Sequence, residues 1–260
     1  MKFSKIILHE GWPRGFLSNY FSILTAFRYL VEIENVPIEN IFISSSNFTL
    51  YGHPQNWFEK NIIFDDLHDA FYACSNIKSG LSLSIRHTLD ELNNIKKYTN
   101  QILFNQRTKN YLNQNILNLD STLGIHFRGT DHWHTNRIEL EKYLIEADNQ
   151  IEKNNYKKIF ISTDEDNIIE KIQEYYQNKY NFNNIVFNSC QRSTGSIGTH
   201  NIKYNELTKI NMGFEVLLDA HSLSKCDTVI GKSSNLTYYA KMINNNLKMI
   251  YLDKDFEIRA

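Results

Sequence analysis

Cysteine, net charge and long apolar runs are all scarce in this sequence, and each scarcity excludes a class of protein. The 260 residues include three cysteines, an odd number without CxxC spacing, which argues against a disulfide framework and against a zinc site. The formal net charge of -1 gives no electrostatic reason to expect nucleic acid or a membrane surface as a partner. No window approaches about eighteen uninterrupted apolar residues, so we expect no transmembrane segment, while a peripheral membrane contact is left open.

The first residues, MKFSKIILHEGW, also lack an apolar run long enough for a signal peptide, so we expect a cytoplasmic protein. Hydrophobic residues nevertheless make up 42% of the chain, enough to bury a sizeable core. We therefore expect a folded protein whose partner is small and bound at one local site. No pattern in the sequence indicates an oligomeric state.

The second half of the chain alternates between short apolar runs and longer segments with apolar residues at helical spacing. This alternation predicts repeated β-α units in a doubly wound parallel sheet, and hence an α/β fold class. The predicted strands are 122–127, 158–162, 184–187, 228–230 and 247–252, and the predicted helices are 137–151, 166–177, 206–223 and 234–243.

The first half is less regular and richer in aromatic residues and loops. Its predicted strands are 5–8, 41–43 and 62–64, and its predicted helices begin at residue 18 and cover 87–98 and 101–117. The difference between the halves predicts two lobes, an N-terminal α/β lobe of residues 1–118 and a Rossmann-like C-terminal lobe of residues 119–260.

The stretch LGIHFRGTDHW, from Leu123 to Trp133, joins an apolar, β-prone half to a charged half. Its first half is typical of a strand buried on both faces of a parallel sheet. Arg128 and Gly129 then stand where that strand ends, and open parallel sheets bind ligands at the carboxyl ends of their strands. The guanidinium of Arg128 suits a diphosphate, although a strand that ends in a surface salt bridge explains the same residues.

Two further loops that follow predicted strands carry candidate functional residues. In Ser162 to Asp166, either Thr163 or Asp164 is a candidate N-cap of the next helix. Asp164 and Asp166 are also a candidate site for Mg²⁺ or Mn²⁺. The segment 188–203 is long and rich in glycine and hydroxyl groups, which is typical of a lid or an active-site wall.

Asp219 and the segment Gly231 to Asn235 are candidate nucleotide contacts. Asp219 lies on an apolar helix, where a buried carboxylate needs donors. The N1–H and N2–H groups of guanine would supply two donors, and a buried ion pair or an exposed helix face is the alternative. In Gly231 to Asn235, hydroxyls and helix N-terminal amides favour phosphate, or a serine simply caps the helix. The segment lacks the GxxxxGK[ST] spacing of a P-loop, so ATP hydrolysis is not implied.

Near the N terminus, a loop that contains Gly11 and Gly15 lies between a predicted strand and a predicted helix. The helix is indicated by Phe21, Leu24 and Phe27, which recur at helical spacing. This arrangement can hold an anion or a sugar nucleotide at the helix N terminus, or the two glycines only shape the turn.

Three ordered motifs resemble the peptide motifs of the GDP-fucose-dependent fucosyltransferases. They are His126-Phe-Arg128-Gly-Thr-Asp131, then Phe160-Ile-Ser-Thr163-Asp164-Glu-Asp166, then Leu218-Asp219-Ala-His221 through Cys226-Asp227 followed by Gly231-Lys-Ser233-Ser234-Asn235. The sequence is most similar to the α-1,6-fucosyltransferases of N-glycan core and nodulation-factor type, within a superfamily that includes the α-1,2 and protein O-fucosyltransferases. The resemblance covers residues 123–240 well and residues 18–245 loosely.

The resemblance implies a GT-B-like architecture, with an acceptor-side N-terminal lobe and with the donor GDP-fucose held mainly by the C-terminal lobe. The implied donor-binding residues are Gly15, Asn19, His126, Arg128, Thr163, His200, Asp219, Ser233, Ser234 and Asn235, and the implied catalytic residues are Arg128, Asp131, His132 and Asp164. Arg128 would bind the β-phosphate, and Asp219 would read the guanine edge. Asp131 and Asp164 would brace the arginine and its loop.

Several departures from the family pattern bear on the chemistry. Many relatives carry two adjacent arginines, and the second position here is Gly129. A lysine usually follows the aspartate, and here that residue is His132. The glutamate proposed as general base in the α-1,6 enzymes corresponds to Asn136, which leaves His132 and His134 as the nearest groups suited to proton removal near neutral pH. The SSFSWWG run of many α-1,2 enzymes is absent, which argues against that linkage.

The implied reaction is a single inverting displacement, in which GDP leaves β-L-fucose while a glycan hydroxyl attacks from the opposite face. The resemblance implies no metal or other cofactor, because Arg128 and helix amides take the place of a metal. Three alternatives stay open: an α-1,2-type fucosyltransferase, a transferase or hydrolase that uses another nucleotide sugar, and a non-catalytic GDP-sugar or glycan-binding module. The acceptor glycan is not indicated by any motif.

Overall fold

The structure is a computed structural model of the 260-residue chain, and it describes residues 4–7, 15–44, 89–129, 137–193 and 206–253. The strands are β1 (Ser4–Ile7), β2 (Ile41–Ser44), β3 (Thr122–Phe127), β4 (Lys158–Thr163), β5 (Ile185–Phe187), β6 (Thr228–Gly231) and β7 (Lys248–Tyr251). The helices are α1 (Phe16–Arg28), α2 (Leu89–Lys96), α3 (Gln106–Asn115), α4 (Leu140–Lys153), α5 (Asp166–Tyr180), α6 (Glu206–Lys225) and α7 (Asn235–Ile243). The strand predicted at 62–64 lies outside the described residues.

The chain separates into two compact units. The first comprises Met1–Gln114 together with Asn205–Phe214, and the second comprises Asn115–Tyr204 together with Glu215–Ala260. In the first unit, β1 and β2 form a parallel pair. The sequence predicts one boundary, between residues 118 and 119, and does not predict that residues 205–214 return to the first unit. The predicted boundary stays a prediction.

The second unit is built on a five-stranded sheet in the order β5-β4-β3-β6-β7. All four pairs of neighbouring strands are parallel, which is the sheet that the β-α alternation predicts. The central strand β3 pairs with β4 on one edge and with β6 on the other, and all six of its residues are buried. The continuous apolar run in the sequence therefore corresponds to a strand covered on both faces.

An apolar cluster packs on each face of the sheet, and strand alternation turns the apolar side chains of β3 toward one of the two clusters. Leu123, Ile125 and Phe127 share one cluster with Tyr143 of α4 and Ile172 of α5. The opposite cluster includes residues of β4 and β6 together with the end of α6 and with α7. Helices thus cover both faces of the sheet, and they leave its carboxyl edge to the loops.

Two predicted helix starts are wrong, and a side-chain contact is found at each. The helix predicted from residue 101 begins at Gln106, because the side chain of Asn105 accepts the N–H of Thr108 at 2.8 Å, as an N-cap does. The helix predicted from Arg137 begins at Leu140. Arg137 precedes that helix and uses its side chain in an ion pair at the sheet edge.

Gly124 of β3 faces the cluster formed with α6 and α7, and there is little room beside it. A Cβ atom on this residue would lie 2.9 Å from Val229 Cγ2 and 3.1 Å from Cys226 Sγ. We expect Gly124→Ala to lower the free energy of unfolding by about 1–3 kcal/mol, because packed neighbours must shift. Gly15→Ala is the control, since no described atom lies within 4 Å of the added Cβ there, and its expected loss is only the helix-cap effect of about 0.5 kcal/mol. Urea unfolding measures both variants, and equal losses would contradict the packing argument.

Candidate functional site

The candidate site lies at the carboxyl edge of the five-stranded sheet, where the strand order reverses. The chain runs from β3 outward through β4 to β5, and it then returns to the other side of β3 with β6 and β7. Open α/β sheets bind ligands in the crevice at such a reversal. The exposed Arg128 follows β3, and Ser233 and Ser234 follow β6. The topology thus brings two of the predicted segments to one edge.

His126 is the polar residue near the end of the buried strand β3. Strand alternation places it on the same face as Gly124, and its register partner on β4 is Ser162. Its Nδ1 lies 3.4 Å from Ser162 Oγ, and its Nε2 lies 3.2 Å from Ser234 Oγ. His126 therefore joins the end of β4 to the segment that follows β6.

The surroundings of His126 favour a neutral ring. Burial is the largest cause that lowers the pKa of His126 to about 4, and the charge of Arg128 lowers it further. The carboxylate of Asp164 and a backbone hydrogen bond to Ser162 act in the opposite direction. At neutral pH the ring therefore has one protonated and one unprotonated nitrogen, and it can donate one hydrogen bond and accept another.

Asp219 of α6 is buried, and its carboxylate is bonded within the protein. Its Oδ2 accepts from Ser162 Oγ at 2.8 Å, and its Oδ1 accepts from Asn188 Nδ2 at 2.7 Å. The Cys190 thiol lies 3.5 Å from the same Oδ1. Burial raises the pKa of Asp219, and the hydrogen bonds from Asn188 and Ser162 oppose that shift. Neutral side chains therefore supply the donors that this carboxylate needs, and the guanine contact stays a prediction.

Ser234 caps α7 at the end of the segment that follows β6. Its Oγ accepts the Thr237 N–H at 3.3 Å, and Thr237 Oγ1 accepts the Ser234 N–H at 3.1 Å, which completes a capping box. The N–H of Ser233 donates to the Asp253 carboxylate at 3.0 Å. The helix-cap alternative is thus confirmed at Ser234, and the phosphate contacts of Ser233, Ser234 and Asn235 stay predictions.

Thr163 and Asp164 bind backbone groups at the end of β4. The N-cap of α5 is Glu165, which makes no side-chain cap hydrogen bond, so the cap predicted at Thr163 or Asp164 is wrong. Thr163 Oγ1 accepts the N–H of Glu165 at 3.2 Å. Asp164 Oδ1 instead accepts the N–H of Gly129 at 3.0 Å. This contact ties the loop after β4 to the end of β3.

Glu165 and Arg137 fill the space beside Gly129. The Arg137 guanidinium contacts both carboxylate oxygens of Glu165, at 3.0 and 3.1 Å, and it donates to the Gly129 carbonyl at 3.4 Å. It also lies over the Phe127 ring, 5.3 Å from the ring centroid. A Cβ atom at position 129 would overlap the Glu165 carboxylate, so any side chain there must displace this pair. The glycine therefore makes room for a second guanidinium, which comes from the segment before α4.

The other predicted site residues lie elsewhere in the chain. Gly15 and Asn19 are in the first unit, where Gly15 is the N-cap of α1 and Asn19 is buried on that helix. Their contacts with a donor stay predictions. Asp131, His132 and His200 lie outside the described residues.

The part of the chain that the structure describes contains neither a cluster of metal-binding side chains nor a membrane-spanning helix. No three His, Cys, Asp or Glu side chains gather there in a way that could hold a metal ion. Asp164 binds a backbone amide, and Asp166 is exposed at the first turn of α5. None of the described helices is both long enough and apolar enough to cross a bilayer.

Several residues of this edge were missed by reasoning from the sequence. Ser162 could have been found, because it is the last residue of the strand predicted at 158–162, and its register partner on β3 is His126. Arg137 was assigned to a helix, and Asn188 was only part of a loop. Their roles depend on contacts between distant segments, which no local pattern encodes.

A parallel sheet with this reversal of strand order places the second unit in the doubly wound, Rossmann-like class of α/β folds. A crystal structure of the α-1,6-fucosyltransferase NodZ soaked with GDP-fucose matches the chain with a TM-score of 0.57 at 14% identity, over 98% of this chain and 96% of that chain. A structure of the fucosyltransferase NodZ from Bradyrhizobium matches with a TM-score of 0.58 at 15% identity, over 97% and 95% of the two chains.

NodZ co-crystallised with GDP matches with a TM-score of 0.53 at 14% identity, over 92% of this chain and 91% of that chain. The predicted α/β, GT-B-like fold class and the resemblance to GDP-fucose-dependent fucosyltransferases are confirmed at the level of the fold. No protein-family model matches the sequence, and no curated protein is significantly similar to it.

The low pKa of His126 predicts a stability that decreases in acid. The unfolded chain protonates this residue near pH 6.5, whereas the folded chain does so only near pH 4. Between these values the unfolded state binds more protons. The contribution of His126 is therefore complete above about pH 6.5 and is lost as the pH falls to about 4. From about pH 7 to about pH 4.5 we expect this residue to remove about 2.5 kcal/mol from the free energy of unfolding.

Urea unfolding of the wild type and of His126→Asn at these two pH values measures the effect. The variant lacks the titrating ring, so its loss on acidification is expected to be smaller by about 2.5 kcal/mol. His221 also has a pKa lowered to about 4 by burial, and it titrates equally in both proteins. The same loss in both proteins would contradict a neutral His126.

Proposed function

We propose that the chain is an inverting fucosyltransferase that moves L-fucose from GDP-β-L-fucose to a glycan hydroxyl, with an α-1,6-type linkage. The main support is the arrangement at the strand-order reversal. The exposed Arg128 follows β3, and the N terminus of α7 is joined to the same strand by the 3.2 Å contact between Ser234 Oγ and His126 Nε2. The shared fold with the α-1,6-fucosyltransferase NodZ supports the same conclusion.

The donors at this edge have the chemistry that a diphosphate needs. Arg128 offers a planar fork of N–H groups, and the first turn of α7 offers backbone amides with the positive end of the helix dipole. The Ser233 N–H already donates to a carboxylate, that of Asp253, so it is oriented toward an anionic oxygen. The proposed partners are GDP-fucose and a glycan acceptor in the cytoplasm, without nucleic acid.

The proposed reaction breaks the bond between the anomeric carbon and the β-phosphate oxygen. The acceptor oxygen bonds to that carbon from the opposite face, and its proton passes to a base. Negative charge grows on the departing diphosphate, so donors placed there stabilise the transition state more than the ground state. His132 and His134 are the proposed candidates for the base.

A transferase that uses a different nucleotide sugar is the second candidate. The observation that favours it is the carboxylate of Asp219, whose two oxygens already accept from Ser162 and Asn188. Guanine would have to share or replace these donors, which weakens the argument for a guanine-specific site. A titration with several nucleotides separates the two candidates.

We expect GDP to raise the melting temperature of the protein more than UDP or CDP at equal concentration. GDP should also be released from GDP-fucose in the presence of a library of acceptor glycans.

Arg128→Ala is expected to lower the rate of GDP release by about 10²- to 10³-fold, because it removes a hydrogen-bond donor from the leaving diphosphate. Arg28→Ala is the control, since this arginine lies on α1 and pairs with Glu32.

A larger shift with UDP or CDP would favour the second candidate, and no shift with any of the three would exclude every nucleotide hypothesis. GDP binding without GDP release would indicate a binding module. Full activity in Arg128→Ala would remove the residue on which the proposal depends.

We propose further that the reaction needs no metal, because Arg128 and helix amides hold the diphosphate. The rate of GDP release is therefore expected to be unchanged in excess EDTA. A rate that falls in EDTA and recovers with Mn²⁺ would favour a metal site at Asp164 and Asp166 instead. The variant Asp166→Asn would then lower the recovery.

A further inference from the structure

Four buried polar side chains form one hydrogen-bonded chain across the carboxyl edge of the sheet. They are Asp219 of α6, Ser162 of β4, His126 of β3 and Ser234, the N-cap of α7. The contacts that join them are Ser162 Oγ to Asp219 Oδ2 at 2.8 Å, His126 Nδ1 to Ser162 Oγ at 3.4 Å and Ser234 Oγ to His126 Nε2 at 3.2 Å. None of the four residues is more than 7% exposed, so their partners come from the protein.

The proton positions in this hydrogen-bonded chain follow from Asp219, its acidic end. Oδ1 of Asp219 accepts from the side-chain amide N–H of Asn188, a group that can only donate. The Asn188 amide and the Cys190 thiol face Oδ1, and the Ser162 hydroxyl faces Oδ2, a set of three donors that matches an ionised carboxylate. In that state the carboxylate only accepts, so the Ser162 hydroxyl donates its single proton to Oδ2. Ser162 Oγ is then an acceptor toward the ring of His126. The proton of the neutral ring must therefore lie on Nδ1.

The other end of the chain agrees with this direction. Ser234 Oγ accepts the N–H of Thr237 as a helix cap, so its own proton is available for donation. Nε2 of His126 carries no proton when Nδ1 does, and it accepts that proton at 3.2 Å. Thr237 Oγ1 is a second acceptor at 3.3 Å, slightly farther than Nε2, and one of its two lone pairs already accepts the N–H of Ser234. Every donor in the hydrogen-bonded chain thus has one acceptor.

We propose that Asp219 and Ser162 are positioning residues, which hold His126 in its Nδ1–H tautomer and so keep Ser234 and the N terminus of α7 in one orientation. The consequence for a ligand rests on the proposed function: the first turn of α7 would meet the diphosphate already oriented. Asp219 then affects nucleotide binding through three hydrogen bonds and needs no contact with the base.

Nitrogen NMR of ¹⁵N-labelled protein near neutral pH tests the tautomer. The protonated and unprotonated nitrogens of a neutral imidazole have well-separated shifts, and couplings to the ring protons distinguish Nδ1 from Nε2. The spectrum of His126→Asn assigns the signals. In the wild type we expect the proton on Nδ1. In Asp219→Asn we expect it on Nε2, because Asn188 still requires an acceptor and the introduced amide then turns its N–H toward Ser162.

Ser162→Ala is the second variant, and it keeps the test decisive if Asp219→Asn does not fold. It removes the hydroxyl acceptor of Nδ1 and leaves only the backbone hydrogen bond to Ser162, so we expect the share of the Nε2–H tautomer to rise. Ser222→Ala is the matched control. Ser222 is a fully buried serine of α6 that bonds to Asn188 but is not one of the four hydrogen-bonded side chains. An Nε2–H ring in the wild type, or an unchanged tautomer in both variants, would overturn the proposal.

Ser162→Ala is also expected to weaken GDP binding by about fivefold to tenfold, the value of one hydrogen bond, while Ser222→Ala leaves it unchanged. A tautomer that changes without any loss of GDP affinity would overturn the positioning role. A wild type that does not bind GDP would instead exclude the proposed function, and the NMR result would still decide whether the hydrogen-bonded chain has the stated direction.

Discussion

Strand β3 is removed from water on every side, because β4 and β6 pair with its two edges and helices cover both its faces. A polar side chain on such a strand must have partners within the protein. His126 meets this requirement with the hydroxyls of Ser162 and Ser234, which in turn bind the Asp219 carboxylate and cap α7. One buried imidazole therefore couples the strand ends to the helix that follows β6.

At the same edge, the ion pair of Arg137 and Glu165 packs against Gly129. The carboxylate of Glu165 occupies the volume that a side chain at Gly129 would need, and it holds Arg137 against the backbone of the turn. Arg128 stays exposed beside this ion pair. The fold is shared with NodZ at 14% identity. A side chain at position 129, such as the second arginine of the fucosyltransferase motif, would displace this ion pair.

Much of the fold could be predicted, because buried strands and helices are rich in apolar residues at regular spacing. The strand predicted at 122–127 is observed at Thr122–Phe127, and the β-α alternation correctly indicates a parallel sheet. Helix starts were less predictable at Gln106 and Leu140, since a side-chain cap and a long-range ion pair decide them. The site was predictable only as separate segments, each at the end of its own strand.

The sequence by itself determined which runs become buried strands and which residues end them, because apolar periodicity and turn chemistry are local properties. Only the tertiary structure decided that the ends of β3 and β6 meet at a reversal of strand order, and that Asp219 is bonded to Ser162 and Asn188. These contacts join residues far apart in the chain. Their geometry depends on strand order and helix packing, which spacing along the sequence does not specify.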